Sequence, residues 1–369
     1  MKVYKIVLTG GPCAGKSEIL EKLIEYYSKK EKIKVFTITE TATEVINSGL
    51  SFMEMDNPYN FQKIILERQL NKEITLYRGL EHMPLEETNL IFLDRGIIDN
   101  KAYLPIQRAE EDFKNLLQER NLNELNILDS YDLVIDLISL ATTNPEKYEC
   151  ISNAARYESA DTAKMVDRRI TKAWLGHNNI RHIYPTEQIN EKLALVQNYI
   201  EQLLNENQQK ATQTYLIDTP HILLKLLNTN NSKKIEITNY HIGLFEENTR
   251  TIIQKRSYNG AQTLMLMMKD SLGNMINSQI ISDKTFQMIT EISGMEKVIN
   301  KEQYTFVYGP QVYTITCYGD FTTLDVEITN NVEHPDLSAF NIIGTIDNFE
   351  LFYDECQKKH SKTKKYGII

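Results

Sequence analysis

Cysteine is scarce in this chain, and long apolar runs are missing from it. The 369 residues include four cysteines, at positions 13, 150, 317 and 356, and no two of them have C-x-x-C spacing. This spacing argues against a zinc knuckle and a disulfide framework, so we expect reduced thiols. No stretch of about 18 consecutive apolar residues occurs, and the first residues enter a predicted strand without a signal-peptide pattern. We therefore expect a cytoplasmic protein.

An excess of positive charge is also missing. The formal net charge of −9 at pH 7 argues against broad, nonspecific binding to DNA, and we expect no DNA partner. The chain is 41% apolar and long enough for two ordinary domains, each with its own core. We find no internal repeat and no low-complexity tract, and the sequence carries no signal for an oligomeric state.

Residues 10–17 complete the pattern G-x-x-x-x-G-K-[ST] of a phosphate-binding loop. A β-rich apolar run at 3–9 precedes the loop, and a run at 18–27 with apolar residues at helical spacing follows it. We expect all eight residues to contribute to a nucleotide site: Gly10, Gly11, Pro12, Cys13, Ala14, Gly15, Lys16 and Ser17.

The chemistry expected of this loop follows from its charge. Glycines let successive backbone N–H groups point at a polyphosphate, and the following helix adds its positive end. Lys16 is expected to reach the β- and γ-phosphates, and the Ser17 hydroxyl to bind Mg²⁺. The alternative is a glycine-rich turn that only joins a strand to a helix.

Predicted strands and helices alternate along the first part of the chain. Strands are predicted at 35–38, 90–93 and 133–137, with a helix over 58–77 between the first two. This alternation is typical of right-handed βαβ units and a parallel sheet that binds ligands at the carboxyl ends of its strands. The sequence therefore predicts an α/β P-loop domain over residues 1–226.

A polar break at residues 228–234 separates this domain from a segment of different character. Two helices are predicted there, near 282–291 and 347–359. Alternating side chains in a closed antiparallel sheet would line a tunnel with polar groups. We therefore predict a second domain over residues 235–369, an α+β antiparallel barrel. Its predicted strands lie at 250–254, 263–269, 304–308, 312–318 and 324–328.

An acid and a base follow the apolar strand at 90–93. Asp94 could hold the water shell of Mg²⁺ or accept a hydroxyl proton, and Arg95 could bind the transferred phosphoryl group or an acceptor phosphate. Their position at the end of a strand near the phosphate loop favours this interpretation. The alternative is an Asp-Arg-Gly turn with a local ion pair.

Glu40 ends the strand at 35–38 in the same way. In a doubly wound sheet it would face the same crevice as Lys16 and Asp94, where it could orient an acceptor or act as a base. The alternative is a charge at a helix N-terminus, which would stabilise Thr41 and the residues after it through the helix dipole. Both interpretations stay open at this point.

A charged helical region between residues 153 and 177 has the character of a mobile lid. The arginines of such a lid contact phosphates on closure and exclude water, so Arg156 and Arg168 are predicted to bind the nucleotide, with Arg169 as a further candidate. The alternative for each is a solvated helix with ion pairs one turn apart. Trp174 and His177 are expected to be packing residues.

The first domain carries the phosphate loop, the strand-end glutamate and the motif D-R-G-x-x-D from Asp94 to Asp99, with Tyr103 beyond it. With these motifs in this order it resembles the NadR-like, nucleoside-kinase-like P-loop family of AAA-type ATP-binding proteins. The resemblance implies ATP and Mg²⁺ as cofactors and phosphoryl transfer as the chemistry.

The second domain carries a different set of charged residues on its predicted strands. With these residues it resembles a divergent CYTH or triphosphate-tunnel domain, a closed antiparallel barrel lined by basic and acidic side chains. The resemblance implies a bound phosphorylated ligand. The residues that the resemblance assigns to that ligand are Arg250, Arg256, Lys269, Lys301 and Glu327.

The first strand of the second domain departs from the CYTH pattern. In that family alternating glutamates on this strand bind the catalytic metal and a lysine follows them, whereas here Glu236 is retained and Thr238 and Tyr240 replace the others. One acid holds a divalent ion weakly, so we expect the tunnel to bind its ligand through charge-assisted hydrogen bonds without cleaving it. The alternative is a set of isolated surface cations.

The two domains in this order resemble the TRPL translocation defect proteins, a family described as GTP-binding hydrolases with a phosphoinositide-binding function. No N-K-x-D tetrad for guanine occurs in the chain, which favours ATP over GTP. Three functions are considered. The first is phosphoryl transfer from ATP or GTP to a small hydroxyl acceptor, with Asp94 or Glu40 as the base. The second is a nucleotide-dependent switch whose second domain binds a phosphorylated small molecule or phosphoinositide. The third, ranked last, is a triphosphatase.

Overall fold

The computed structural model describes residues 2–50, 55, 57–151, 159–205, 212–218, 232–242, 249–270, 275–308, 311–329, 335–346 and 352. The chain divides into two compact units. The first comprises residues 1–209, 237–298 and 329–331, and the second comprises residues 210–236, 299–328 and 332–369. The domain boundary expected between residues 226 and 235 stays a prediction.

A parallel sheet of five strands forms the centre of the P-loop region in the first unit. The strand order is β2-β3-β1-β4-β5, so the strand that leads into the phosphate loop lies in the middle. The strands are β1 (Lys2–Thr9), β2 (Ile33–Ile38), β3 (Thr88–Asp94), β4 (Leu133–Leu137) and β5 (Ile180–Ile183).

Ten helices accompany this sheet in the described residues. Local signals explain several of their starts: the Asn57 side chain accepts the N–H of Tyr59 and Pro58 occupies the first turn of α3, while Ser159 caps α9. The helices are α1 (Lys16–Ser28), α2 (Thr41–Asn47), α3 (Pro58–Leu80), α4 (Asp99–Ala102), α5 (Ala109–Gln118), α6 (Glu124–Leu128), α7 (Leu140–Thr143), α8 (Pro145–Ile151), α9 (Ala160–Ala173) and α10 (Ile189–Leu204).

The main core lies between the sheet and helices α1 and α10. The apolar residues of α1 recur at helical spacing and so face the sheet on one side. The buried members of this core include Ile6, Leu8, Ile19, Leu23, Tyr27, Leu90, Phe92, Ile135, Val196 and Ile200.

The register of the parallel sheet brings the carboxyl ends of four strands to one edge. Leu8 lies opposite Asp94, Thr9 opposite Asp136, and Ile38 opposite Leu93. Residues that follow β1, β2 and β3 therefore emerge side by side, as the βαβ pattern predicted.

The first unit also contains antiparallel strands from the C-terminal half. Strand β8 (Thr249–Tyr258) pairs along its whole length with β9 (Ala261–Asp270) through a turn at Asn259 and Gly260, which have φ values of 50° and 80°. An Asn-Gly turn with two positive φ values is the preferred two-residue hairpin connection. Strand β10 (Met275–Ile280) flanks β9, and β7 (Ser232–Ile242), which belongs to this unit from residue 237 on, flanks β8. Helix α11 (Asp283–Ser293) packs Phe286 and Ile289 on these strands.

The second unit has an antiparallel sheet with its own core. It contains β6 (Thr212–Asp218), β11 (Met295–Tyr308), β12 (Gln311–Cys317), β13 (Thr322–Glu327) and β14 (Asn341–Thr345), in the order β11-β12-β13-β6-β14. Tyr215, Phe306, Tyr313, Leu324 and Phe340 are among the buried residues of this core.

The fold class is confirmed: a parallel α/β sheet is followed by antiparallel strands. One detail differs from the sequence expectation. Strand β6 precedes the predicted break at 228–234 yet pairs with β13 and β14. The predicted helix at 282–291 is present as α11, whereas the helix predicted at 347–359 lies outside the described residues apart from residue 352. Of the helices that the described residues form, none has the length and apolar character to cross a membrane.

Helix α3 buries an acid, Glu73, whose carboxylate accepts the hydroxyls of Tyr131 at 3.0 Å and Tyr77 at 3.2 Å. Burial raises the pKa of Glu73 to about 7 from its ordinary value of 4.5, although both hydroxyls and the charge of Lys5 act in the opposite direction. The folded chain therefore binds this proton more tightly than the unfolded chain does.

We expect Glu73 to make folding pH-dependent. Because its folded-state pKa is raised, its contribution to the free energy of unfolding is most favourable below about pH 4.5 and is lost as the pH rises to about 7, by about 3 kcal/mol in total. Glu73→Gln removes this titration. Urea unfolding across pH 4–8 should then show a smaller decline for Glu73→Gln than for wild type, while the exposed control Glu81→Gln follows wild type. Parallel pH profiles for wild type and Glu73→Gln would contradict this.

Candidate active site

The loop between β1 and α1 has a backbone that requires glycine. Gly10 has a φ of 131°, and a Cβ there would lie 2.0 Å from the carbonyl oxygen of Leu137. Gly15, with a φ of 83°, is the N-cap of α1, so the free N–H groups of that 13-residue helix open at the loop. These are the features of an anion-binding helix N-terminus.

Lys16 points back over the loop in this structure. Its Nζ donates to the carbonyl oxygens of Gly10 at 2.8 Å and Gly11 at 2.9 Å. Burial and, after it, the charge of Arg95 lower the pKa of Lys16 to about 8, while the charge of Glu40 acts in the opposite direction. Phosphate oxygens in the loop would offer this ammonium a charged partner in place of the two carbonyls.

The turn after β3 joins the ends of β2 and β3 to the loop. Arg95 has a left-handed backbone with a φ of 72°. Its Nε donates to Glu40 Oε1 at 2.5 Å, and its Nη1 donates to the carbonyl oxygen of Gly10 at 3.2 Å. Gln69 on α3 donates to the carbonyl oxygen of Arg95 at 3.1 Å. The Arg95 guanidinium therefore lies beside Lys16 on the same carbonyl group.

Glu40 is held by side chains rather than by the helix that it precedes. Its Oε2 accepts the hydroxyl of Thr43 at 2.6 Å, and its carboxylate makes no capping bond to the backbone of α2. Burial acts to raise the pKa of Glu40, but Arg95 and the Thr43 bond lower it below its ordinary value. Glu40 therefore lies beside Arg95, and its role stays a prediction.

Asp94 has a buried carboxylate oxygen near the charges of Lys16, Glu40 and Arg95. Its Oδ1 is buried and has no hydrogen-bond partner among the described residues. Burial and the nearby Glu40 raise the pKa of Asp94, while Lys16 and Arg95 act in the opposite direction. A hard cation would satisfy this oxygen, and the exposed Ser17 at the start of α1 could supply a second ligand.

The protein ligands available for such a cation are few. Within the described ranges no group of three or more His, Cys, Asp or Glu side chains is arranged to hold a metal. Mg²⁺ commonly uses one or two protein oxygens and takes its remaining ligands from water and phosphates. Asp94 and Ser17 fit that pattern.

The Asp99 carboxylate bonds the turn after β3 to β1 and to Trp174. Its Oδ1 accepts the hydroxyl of Thr9 at 2.5 Å and the indole N–H of Trp174 at 3.0 Å, and its Oδ2 accepts the N–H of Gly96 at 2.8 Å. The spacing D-R-G-x-x-D was visible in the sequence, but the contact with Trp174 was not. Trp174 and His177 are both buried, as expected of packing residues.

The predicted lid arginines stay predictions. Arg168 on α9 is exposed, Arg169 donates to the carbonyl oxygen of Leu104, and Arg156 lies outside the described residues. Asp167 of this region does contact the loop, because its Oδ1 accepts the N–H of Gly11 at 2.8 Å. No motif or spacing in the chain singles out that acid.

Arg250 and Lys269, two of the predicted second-domain residues, lie opposite each other on β8 and β9. Arg250 is exposed, and Lys269 is half-buried with a pKa lowered by burial and by the charge of Arg250. In the second unit, Lys301 Nζ lies 5.6 Å from the centre of the Tyr318 ring, and Glu327 is buried.

The structure corrects the expectation for Arg256. Its side chain is fully buried, and its guanidinium donates to Asp129 and to the carbonyl oxygen of Gly176. Thr263 donates its hydroxyl to the other oxygen of Asp129 at 2.7 Å. The Arg256 guanidinium therefore bonds β8 to the end of α6, and its burial leaves it inaccessible to a ligand.

A family model described as an AAA domain matches residues 5–192, just over half of the chain. The chain belongs to this family. Its AAA domain contains the phosphate loop, Glu40, Asp94, Arg95 and Asp167 described above. No curated protein matches the chain.

Three solved structures are similar to the chain at a low level. The inorganic triphosphatase NE1496 is 10% identical, with 36% of this chain and 84% of that one covered and a TM-score of 0.26. The hypothetical protein NE1496 is 11% identical, the match covers 38% of this chain and 93% of that one, and the TM-score is 0.28. The PH1819 protein from Pyrococcus Horikoshii OT3 is 16% identical, the match covers 40% of this chain and 99% of that one, and the TM-score is 0.32. These values are too low to support an assignment.

Breaking the buried Arg256–Asp129 ion pair is expected to lower the free energy of unfolding strongly. Asp129→Ala leaves a buried guanidinium without its counter-charge, which typically costs about 3–5 kcal/mol. Replacing both residues, as Arg256→Met with Asp129→Leu, should recover most of that loss. Glu25→Ala, which breaks the exposed ion pair with Lys29, serves as the control and should cost less than about 1 kcal/mol. Urea unfolding of the full chain measures all three, and an Asp129→Ala loss no larger than that of the control would contradict the account.

Proposed function

We propose that this chain transfers the γ-phosphoryl group of ATP or GTP to water or to a small hydroxyl acceptor in a Mg²⁺-dependent reaction. The observation that carries the proposal is the convergence of two cations on one carbonyl oxygen. Lys16 Nζ and Arg95 Nη1 lie 2.8 Å and 3.2 Å from the oxygen of Gly10, beside the N-terminus of α1. Phosphoryl transfer needs fixed positive charge where the transferred group develops negative charge.

Each residue of the site then has a role set by its contacts. The N–H groups of the loop and Lys16 bind the phosphates, and Arg95 neutralises charge on the transferred group. Asp94 and Ser17 would hold Mg²⁺, because Asp94 Oδ1 is open and Ser17 is exposed beside the loop. When bound, the ion would neutralise charge on the phosphate oxygens.

Glu40 is the stronger candidate for the base. The guanidinium of Arg95 keeps the pKa of Glu40 below its ordinary value, so the carboxylate is ionised at neutral pH. Arg95 also fixes its direction, which a base needs in order to meet the proton of an acceptor hydroxyl. Asp94, with its raised pKa and open oxygen, suits the metal better. Absence of an N-K-x-D tetrad favours ATP as the donor.

Steady-state release of phosphate from ATP and GTP tests these roles on the full chain, with and without a panel of nucleoside, vitamin and sugar acceptors. Lys16→Ala and Asp94→Asn are expected to lower kcat about 100-fold or more, as the loss of one fixed charge or donor does. Glu40→Gln should lower transfer to the acceptor about 100-fold at least, since it removes a general base. Lys22→Ala on the outer part of α1 is the control and should turn over at the wild-type rate.

The Mg²⁺ requirement separates the two carboxylates. Asp94→Asn should need more Mg²⁺ for half-maximal turnover, whereas Glu40→Gln should keep the wild-type requirement. Turnover in Lys16→Ala at the wild-type rate would overturn the proposal. Phosphate released equally with and without every acceptor would restrict the reaction to hydrolysis.

A second candidate is a nucleotide-dependent switch whose antiparallel strands bind a phosphorylated small molecule or phosphoinositide. The observation that favours it is the like-charge pair Arg250 and Lys269, which lie directly opposite each other on β8 and β9. Like charges in this position are unfavourable. A bound anion would relieve that repulsion, and the lowered pKa of Lys269 would then rise.

Binding of inositol trisphosphate in the nucleotide-free, ADP-bound and ATP-analogue-bound states tests the switch. A nucleotide shifts this affinity only by binding one state more tightly, so a change of about fivefold or more is expected. Arg250→Gln and Lys269→Gln should weaken binding, and the exposed Lys284→Gln on α11 should not. Vesicles that contain a phosphoinositide distinguish a membrane headgroup from the free phosphate ester. Equal affinity in all three nucleotide states would exclude the switch.

A further inference from the structure

A buried carboxylate on α9, that of Asp167, accepts a hydrogen bond from the backbone of the phosphate loop. Asp167 lies in the middle of α9 and is 1% exposed. Its Oδ1 accepts the N–H of Gly11 at 2.8 Å and the N–H of Ser139 at 3.1 Å. Its Oδ2 accepts the hydroxyl of Thr142 at 2.6 Å. One side chain therefore joins α9, the loop and the segment after β4.

The approach of α9 to the loop depends on glycine at position 11. A Cβ at Gly11 would lie 2.6 Å from Asp167 Oδ1 and 2.7 Å from its Cβ. A contact this close leaves no room for a water molecule between them. The loop and the carboxylate are packed directly against each other.

Two further side chains hold the same loop at its other backbone groups. The hydroxyl of Ser139 donates to the carbonyl oxygen of Pro12, and Lys192 on α10 donates from its buried Nζ to the carbonyl oxygen of Ala14 at 3.1 Å. Together with Asp167, they fix three successive parts of the loop from three different elements. The backbone of the loop is therefore held by protein side chains at Gly11, Pro12 and Ala14.

We infer that Asp167 is a positioning residue that sets the phosphate loop in its nucleotide-binding shape through Gly11 and Ser139. It does not touch the nucleotide itself. A loop that spends only a fraction of its time in the binding shape has an apparent Kd raised by the inverse of that fraction. The inference rests on the proposed function, because it assigns the loop to a polyphosphate.

A carboxylate suits this position because all three of its partners are donors. An amide of the same shape keeps one accepting oxygen but turns an NH₂ group toward at least one N–H or O–H. Asp167→Asn therefore keeps the volume of the side chain and disturbs the bonds that hold the loop.

Titration of a fluorescent ATP analogue with Mg²⁺ into the full chain measures the effect, with kcat and KM for phosphate release measured on the same samples. Asp167→Asn is expected to raise the Kd and KM about tenfold while kcat changes less than about threefold, because a bound nucleotide restores the loop. A purely structural role would lower the folded fraction and hence the apparent kcat, and would leave the Kd of the folded fraction unchanged. Asp161→Asn, an exposed acid on the same helix, is the matched control and should keep the wild-type Kd.

Thr142→Val supplies a second variant should Asp167→Asn fail to fold. It removes one bond to Asp167 Oδ2 without changing the volume greatly, and should raise the Kd in the same direction by about two- to fivefold. The inference would be overturned if wild type binds the nucleotide and each of Asp167→Asn and Thr142→Val that folds binds it with the same Kd. Failure of wild type to bind any nucleotide would instead count against the proposed function.

Discussion

Parallel pairing of β1 with β3 and β4 is the constraint on which the candidate site depends. It places Leu8 opposite Asp94 and Thr9 opposite Asp136, so the loop after β1 and the acid at the end of β3 leave the sheet at one edge. A register slip of one residue would turn every side chain of a strand to the other face. Apolar side chains are buried on both faces of β1 and β3, so such a slip would force the cores on both sides of the sheet to repack.

Opposite charges are grouped at that edge of the sheet. Two cations, Lys16 and Arg95, are grouped with Glu40, Asp94 and the carbonyl oxygen of Gly10. Burial and the charge of Arg95 lower the pKa of Lys16 to about 8, while burial acts to raise the pKa of Glu40 and Arg95 and Thr43 lower it below its ordinary value. A site that already holds its charges in place loses little reorganisation energy when a charged transition state forms.

Local features of the site were predictable from sequence, and contacts between distant residues were not. The phosphate loop could be recognised because its glycines, lysine and serine act through their own backbone and the adjacent helix. Asp94 and Arg95 could be placed because strand ends in βαβ units share an edge. Asp167 contacts Gly11 across 156 residues, and Trp174 contacts Asp99 across 75, so neither contact leaves a pattern in the chain. The isolated alternation of β6 likewise gave no indication that it pairs with β13.

Arg256 shows a different limit of sequence reasoning. A basic residue on a strand reads as a surface or ligand-binding charge, since fully buried arginines are rare. Here Asp129 and the carbonyl oxygen of Gly176 replace its water, and only the tertiary structure brings those partners together. Strands β8 and β9 therefore contribute to the stability of the same compact unit as the candidate site.

The central claim is that this site moves a γ-phosphoryl group, and a single-turnover experiment with γ-labelled ATP and excess full-length protein tests it most directly. The account predicts that the label leaves ATP only when Mg²⁺ is present and appears as phosphate or on an added hydroxyl acceptor. It also predicts that Lys16→Ala retains the label on ATP over the same period. Label that stays on the nucleotide in wild type, or that leaves equally fast in Lys16→Ala, would contradict the account.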